Sequence, residues 1–217
     1  MVTTTLLYNK LAQKKFFACD FSLGRLYYGK KFFDQYKISK NQKLTIINSQ
    51  NDLLPFENNS FDTIMTFNSL EPNGGSEKKI LVELFRVAKK GLFLVEPLYE
   101  RSNDKQKKRM DKLGYIKNIE KIIRKLGGKI FYTKELSNQG NSNNKSTVLG
   151  VRLDKKNIKP KKITLCEPKT HFKIIKKNNF YYSKKSGFIY PILSDIPIFN
   201  QNNKIFFPAK TKFIRDF

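Results

Sequence analysis

The chain has 217 residues, 39% hydrophobic and 13% aromatic, which suits one ordinary domain or a domain of ~150 residues with a small appendage. No window approaches the ~20 apolar residues of a membrane helix, and the opening "MVTTTLLYNKLAQKK" lacks the apolar stretch and cleavage site of a secretory signal. With 43 basic and 18 acidic residues the net charge is +25, which admits a nucleic-acid or acidic partner, while a single histidine leaves almost no material for a histidine metal site or triad.

In chain order, leucines at helical spacing predict a helix over 4–14, and "KFFAC" (15–19), ending at Asp20, predicts a buried strand. Helical spacing returns over 23–37. "KLTIIN" (43–48) and "FDTIMTF" (61–67) are the next two strands, the latter continuously apolar after Asp62, as parallel strands buried on both faces are. Ser76 and Glu77 open a helix with Gly91 as its expected cap, and "GLFLVEP" (91–97) is a fourth strand. The apolar period Met110, Leu113, Ile116, Ile119, Ile123, Leu126 predicts one long helix over 104–126. "KIFYTKEL" (129–136) and "STVLGVRL" (146–153), joined by an Asn/Ser/Gly loop, should pair as an antiparallel hairpin. Beyond the lysine-rich linker 154–162, short strand-like pieces predict a small β-rich appendage over 163–217.

The charge has two readings. Residues 150–217 hold 16 basic and 4 acidic side chains, net +12, which would suit RNA or another acidic partner. Yet 36 of the 43 basic residues are lysine, alongside abundant Asn, Ile and Phe, as an AT-rich coding sequence produces, whereas base and phosphate recognition usually recruits arginine. Cys19 and Cys166 lie far apart and give no disulfide framework, which suits a reducing, cytoplasmic setting.

Three pieces resemble the class I S-adenosylmethionine-dependent methyltransferases over residues 1–153. "LPFENNSFDTIMTFNSLE" is similar to that family's "LPF-x-x-x-SFD" followed by a strand and loop. "ELFRVAKKGLFLVEP" resembles its next helix and strand, and "FFACDFSLGRLYYGKK" its second strand with an acidic tip. The resemblance implies an α/β, Rossmann-like, mostly parallel sheet with a C-terminal antiparallel hairpin, and S-adenosylmethionine as cofactor. A carboxylate at a parallel strand tip can accept both hydrogen bonds of a ribose diol, so Asp20 takes that role. Its alternative is helix capping, for which Ser22 competes; Ser22 otherwise joins the cofactor side. Gln50 and Asn51 follow the next strand, where the resemblance places adenine contacts, or else form a plain turn.

"NSLEPNGG" (68–75) leaves the carboxyl end of a strand, where ligands bind in such folds. Glu71 is the candidate catalytic base for an unidentified methyl acceptor, with Asn68, Asn73, Gly74 and Gly75 on the substrate side. "EPNGG", "EP-x-YE" at Glu96–Glu100 and "RMDKLGYIK" at Arg109–Lys117 also resemble an uncharacterised bacterial methyltransferase-like subgroup. The family's first strand and glycine-rich loop should stand roughly 20 residues before the acidic tip, and counting back from Asp20 reaches residue 1. The sheet is therefore expected to be N-terminally incomplete, with 16–19 and 63–67 flanking a gap. Those strands should pair with each other or be completed by a strand of another chain.

The tail motifs "LCEP" (165–168), "FYYSKKSGFIYPI" (180–192) and "SDIPIF" (194–199) resemble a small zinc-ribbon-like family that activates methyltransferases or is fused to them. Cys166 and His171 are too few for a four-ligand site, so the expected appendage holds no metal. A non-catalytic binding or activator module and an RNA-binding protein are the competing functional readings.

Overall fold

The computed structural model describes residues 2–11, 15–36, 44–136, 144–155 and 162–207. The first elements are helix α1 (Val2–Lys10), strand β1 (Phe16–Asp20), helix α2 (Leu23–Tyr36) and strand β2 (Leu44–Asn48). β1 and β2 run parallel in a register from Phe16 opposite Leu44 to Asp20 opposite Asn48, with α2 as the crossover. Tyr8 of α1 sits 4.8 Å from the Phe16 ring and 5.2 Å, edge on, from Phe33.

The chain divides into two compact units, Met1–Pro55 with Leu165–Phe217, and Phe56–Thr164. This differs from the division expected at the linker 154–162. The C-terminal segment is β-rich: β7 (Ile175–Lys176), β8 (Phe180–Tyr182), β9 (Phe188–Leu193) and β10 (Ile196–Pro197) pair in the order β10-β9-β8-β7, and β11 (Ile205–Phe206) pairs with β9. It builds onto the first strands. Ile196 is buried with Leu26 and Ile46 in one apolar cluster. Ile198 bridges Asn48 in parallel sense, and Phe199 N–H donates to Asn48 O at 2.7 Å. Within the segment, the buried Glu167 carboxylate accepts from Ser183 Oγ at 2.9 Å and Tyr190 Oη at 3.4 Å. Burial, then the nearby carboxylate, raise the Tyr190 hydroxyl pKa.

The second unit holds β3 (Phe61–Phe67), α3 (Glu77–Val87), β4 (Ala88–Glu96), α4 (Asp104–Lys112), α5 (Ile119–Lys125), β5 (Gly128–Glu135) and β6 (Thr147–Leu153). Its sheet runs β3-β4-β6-β5, parallel between β3 and β4 and antiparallel elsewhere. The expected hairpin thus forms with β6 inserted next to β4.

Two sequence expectations fail here. Gly91 does not cap α3; the helix ends at Val87 and passes directly into β4. Lys155 Nζ reaches the exposed helix end instead, donating to the Phe85 and Ala88 carbonyls. Gly91 lies inside β4, where a Cβ would come within 2.4 Å of Val151 O. The single helix over 104–126 is two helices, α4 and α5, because Gly114 (φ +64°) and Asn118 (φ +59°) turn the chain left-handed between them.

The strands expected to flank a gap do not pair with each other. Among the described residues β1 has β2 as its only strand partner and β3 has β4. Met65 of β3 is 39% exposed, unusual for a side chain in a run suited to burial on both faces.

Candidate functional site

The tips of β1 and β2 bring the first group of candidates together. Asp20 ends β1, and its Oδ1 accepts from Ser22 N–H at 2.7 Å. Its Oδ2 makes no hydrogen bond among the described residues. Asn48 stiffens the tip: its Nδ2 donates to the carbonyls of Asp20 (3.0 Å) and Phe21 (2.7 Å). Ser22 takes the capping role, its Oγ accepting from Arg25 N–H at 3.3 Å. Gln50 lies just beyond β2 in a tight turn, bridging Leu53. Its Oε1 is buried without a hydrogen-bond partner among the described residues, an arrangement that is costly unless something else supplies a donor. Asn51 follows in the same turn. Cys19, alongside, has its thiol pushed up to about 12 by burial, which disfavours the thiolate.

The second group surrounds the loop after β3. Asn68 turns the chain with φ +46°, and Ser146 Oγ donates to its Oδ1 at 2.8 Å. Glu71 has both carboxylate oxygens engaged: Tyr115 Oη donates to Oε1 at 3.4 Å and Asn144 Nδ2 to Oε2 at 3.2 Å. Arg109 Nη1 donates to Asn144 Oδ1 at 3.0 Å, and its guanidinium lies 5.4 Å from the centre of the Tyr115 ring. Arg109, Asn144, Glu71 and Tyr115 therefore form one closed polar circuit. Each carboxylate oxygen has two lone-pair sites, so Glu71 keeps acceptor capacity for a further donor.

The helix break builds this circuit. Gly74 N–H donates to Gly114 O at 2.9 Å and Ile116 N–H to Glu71 O at 3.0 Å, which docks the segment carrying Tyr115 on the loop. A Cβ on Gly74 would lie 2.4 Å from Gly114 O, so this glycine serves that close approach, while Gly75 (φ +86°) makes the turn into α3. Asn73 points its amide back at the Ser69 and Leu70 carbonyls, at 3.1 and 3.0 Å.

Beneath the loop lies Glu96, the fully buried last residue of β4. It accepts from the backbone N–H groups of Ser69 (3.2 Å), Leu70 (3.2 Å) and Glu71 (3.3 Å). Burial raises its carboxyl from the ordinary 4.5 to about 7, against the pull of those donors. The sequence reading did not assign Glu96, Arg109, Tyr115, Asn144 or Ser146. The first three lie in the quoted motifs "EP-x-YE" and "RMDKLGYIK", which carried the signal without its meaning. Among the described residues no cluster of three or more His, Cys, Asp or Glu could hold a metal, and no helix is long and apolar enough to cross a membrane.

Solved structures with this architecture decide the fold. A SAM-dependent methyltransferase from Methanosarcina mazei superposes with a TM-score of 0.51 at 17% identity, over 63% of this chain and 80% of that one. The fold is that of the class I methyltransferases. Magnesium protoporphyrin IX methyltransferase from Synechocystis PCC 6803, solved with bound SAH, gives a TM-score of 0.52 at 16% identity, and the match spans 65% of each chain, less than two thirds of that enzyme. A [4+2]-cyclase, SpnF, gives 0.54 at 14% identity over 68% of each chain. The methyltransferase fold therefore also carries a chemistry other than methyl transfer. No protein-family model matches the chain, and no curated protein matches it.

Proposed function

We propose that this protein is an S-adenosylmethionine-binding methyltransferase, acting on an O, N or C nucleophile of an acceptor whose identity is open. The observation that carries the reading is the pair of uncommitted acceptors at the β1 and β2 tips, Asp20 Oδ2 and the buried Gln50 Oε1, in a methyltransferase fold. Both fit a nucleoside. A carboxylate at a strand tip suits a ribose diol, and a buried amide oxygen suits an exocyclic amine donor. Asn51 and Ser22 belong to the same end, Ser22 through the helix start it caps.

When bound, the cofactor supplies an electrophilic methyl on a sulfonium, and direct displacement makes alignment most of the catalysis. Glu71 is the proposed acceptor-side base, oriented by Tyr115 and Asn144, with Asn68 completing the polar surface of the loop. Asn73, Gly74 and Gly75 shape the loop rather than present groups to a substrate.

A second reading is a non-catalytic binding module of the same descent. It is favoured by both Glu71 carboxylate oxygens already holding a donor within their own unit and by β1 and β3 each having a single strand partner among the described residues. An acidic or RNA partner for the basic C-terminal segment remains part of either reading.

Calorimetry with S-adenosylhomocysteine tests the proposal. Asp20→Ala should weaken binding about 10- to 100-fold, the value of charge-assisted hydrogen bonds of 1.5–3 kcal/mol, and Gln50→Leu should weaken it less. No binding by the parent chain, or binding indifferent to Asp20→Ala, would remove the assignment.

A further inference from the structure

Helix α2 has two apolar faces where a surface helix needs one. Leu26, Gly29 and Phe33 are buried on the first. Arg25, Tyr28, Phe32 and Tyr36 follow one another at spacings of three, four and four residues, so they form a second stripe along the other side. Tyr28 is 70% exposed and Tyr36 53%. The rings are organised: Phe32 and Tyr36 lie 4.5 Å apart at an interplanar angle of 36°, and Tyr27 stands 5.5 Å from Tyr28. Lys31 Nζ sits 4.6 Å from the centre of the Tyr27 ring and 5.9 Å from that of Tyr28.

Burial of the first face accounts for the fold of the helix and leaves this stripe unexplained. Leaving Tyr28 and Tyr36 exposed, with Phe32 half-buried between them, forfeits the burial that normally selects such rings. Neither Arg25 nor Lys31 forms an ion pair among the described residues, whereas Lys30 is within 4.0 Å of Asp34 and 3.8 Å of Asp195. The stripe is about 16 Å long at 1.5 Å per helical residue. The chain as a whole carries a net charge of +25.

We infer that this face of α2 is a stacking platform for single-stranded RNA, with Tyr28, Phe32 and Tyr36 receiving unpaired bases and Arg25 and Lys31 the phosphates. Arg25 and Lys31, without ion pairs among the described residues, suit an anionic partner, and the exposed rings call for one with flat apolar faces. Unpaired RNA has both, and its splayed bases are what proteins stack on aromatic side chains. A duplex hides its base faces and would engage only the cations. This surface is separate from the basic C-terminal strands and goes beyond the methyl-transfer reading.

The test uses the full chain and a fluorescein-labelled twelve-nucleotide oligouridylate, followed by anisotropy across a salt series. Tyr28→Ala and Tyr36→Ala should each weaken binding about 5- to 100-fold with the salt slope unchanged, as loss of one base stack does. Arg25→Ala and Lys31→Ala should weaken it and flatten the slope by about 0.7 each. The chain has no tryptophan, so Tyr28→Trp places a single reporter on the stripe. Its emission should be quenched by the oligonucleotide. The inference is overturned if the alanine variants at the rings bind as the parent does, if Tyr28→Trp emission ignores bound RNA, or if duplex RNA or anionic vesicles bind more tightly than the single strand. Circular dichroism confirms that the variants, all on the exposed face, keep the fold.

Discussion

Glu96 is the residue on which the acceptor loop depends. Three successive backbone N–H groups converge on one buried carboxyl, so the path of 69–71 is set by a side chain some 25 positions away. That carboxyl is raised to about 7 by burial, which makes stability depend on pH in a definite direction. Below pH 4.5 the group is protonated in both states. Between 4.5 and about 7 the folded protein keeps a proton that the unfolded chain has released, so stability falls as pH rises through this window and then levels. At 1.36 kcal/mol per pKa unit the full effect is about 3 kcal/mol. Urea midpoints of Glu96→Gln should lose this window, seen as a parent-minus-variant difference that changes between pH 4.5 and 7. A constant difference would mean that Glu96 titrates normally.

At the scale of elements, the sequence was legible where periodicity is local. β1, α2, β2, β3 and the β5–β6 hairpin appear within a residue or two of their expected places, because alternation and helical spacing are properties of neighbours. The failures are at glycines whose reason is a distant backbone. Met110, Leu113, Ile116 and Ile119 continue the helical period straight through a break, and only Gly114 marks it. Gly91 looked like a helix cap because nothing local reveals Val151 O across the sheet. The Glu71–Tyr115–Asn144 circuit escaped for the same cause: its members are 44 and 73 positions apart. These two glycines should respond differently to alanine. Gly114→Ala meets no atom within 4 Å and forces only a left-handed φ, for a loss of about 1–2 kcal/mol. Gly91→Ala must push β6 away and should cost about 3 kcal/mol, as overpacking does. Equal losses in urea unfolding would contradict the cross-strand explanation.

At the scale of the whole molecule, the C-terminal segment belongs with the first strands although about 150 residues separate them. Lysine-rich composition at 154–162 suggested a linker to an independent appendage, and composition carries no information about what the far side packs on. Ile196 fills the cluster formed by Leu26 and Ile46, and Phe199 N–H holds the carbonyl of Asn48. Asn48 in turn fixes the Asp20 tip through its side-chain amide. The physical chain therefore runs from a tail residue, through one apolar contact and three hydrogen bonds, to the carboxylate proposed to hold the nucleoside. Ile196→Ala should destabilise this unit by about 2–5 kcal/mol, as large-to-small core changes do. Amide exchange should quicken at Ile46, Ile47 and Asn48 in β2, and affinity for S-adenosylhomocysteine should fall although residue 196 is not proposed to touch the ligand. Unchanged exchange in β2 would mean that the tail folds by itself. Faster exchange with full affinity would mean that Asp20 does not depend on Asn48 for its position, and that the tail supports the strands without supporting the site.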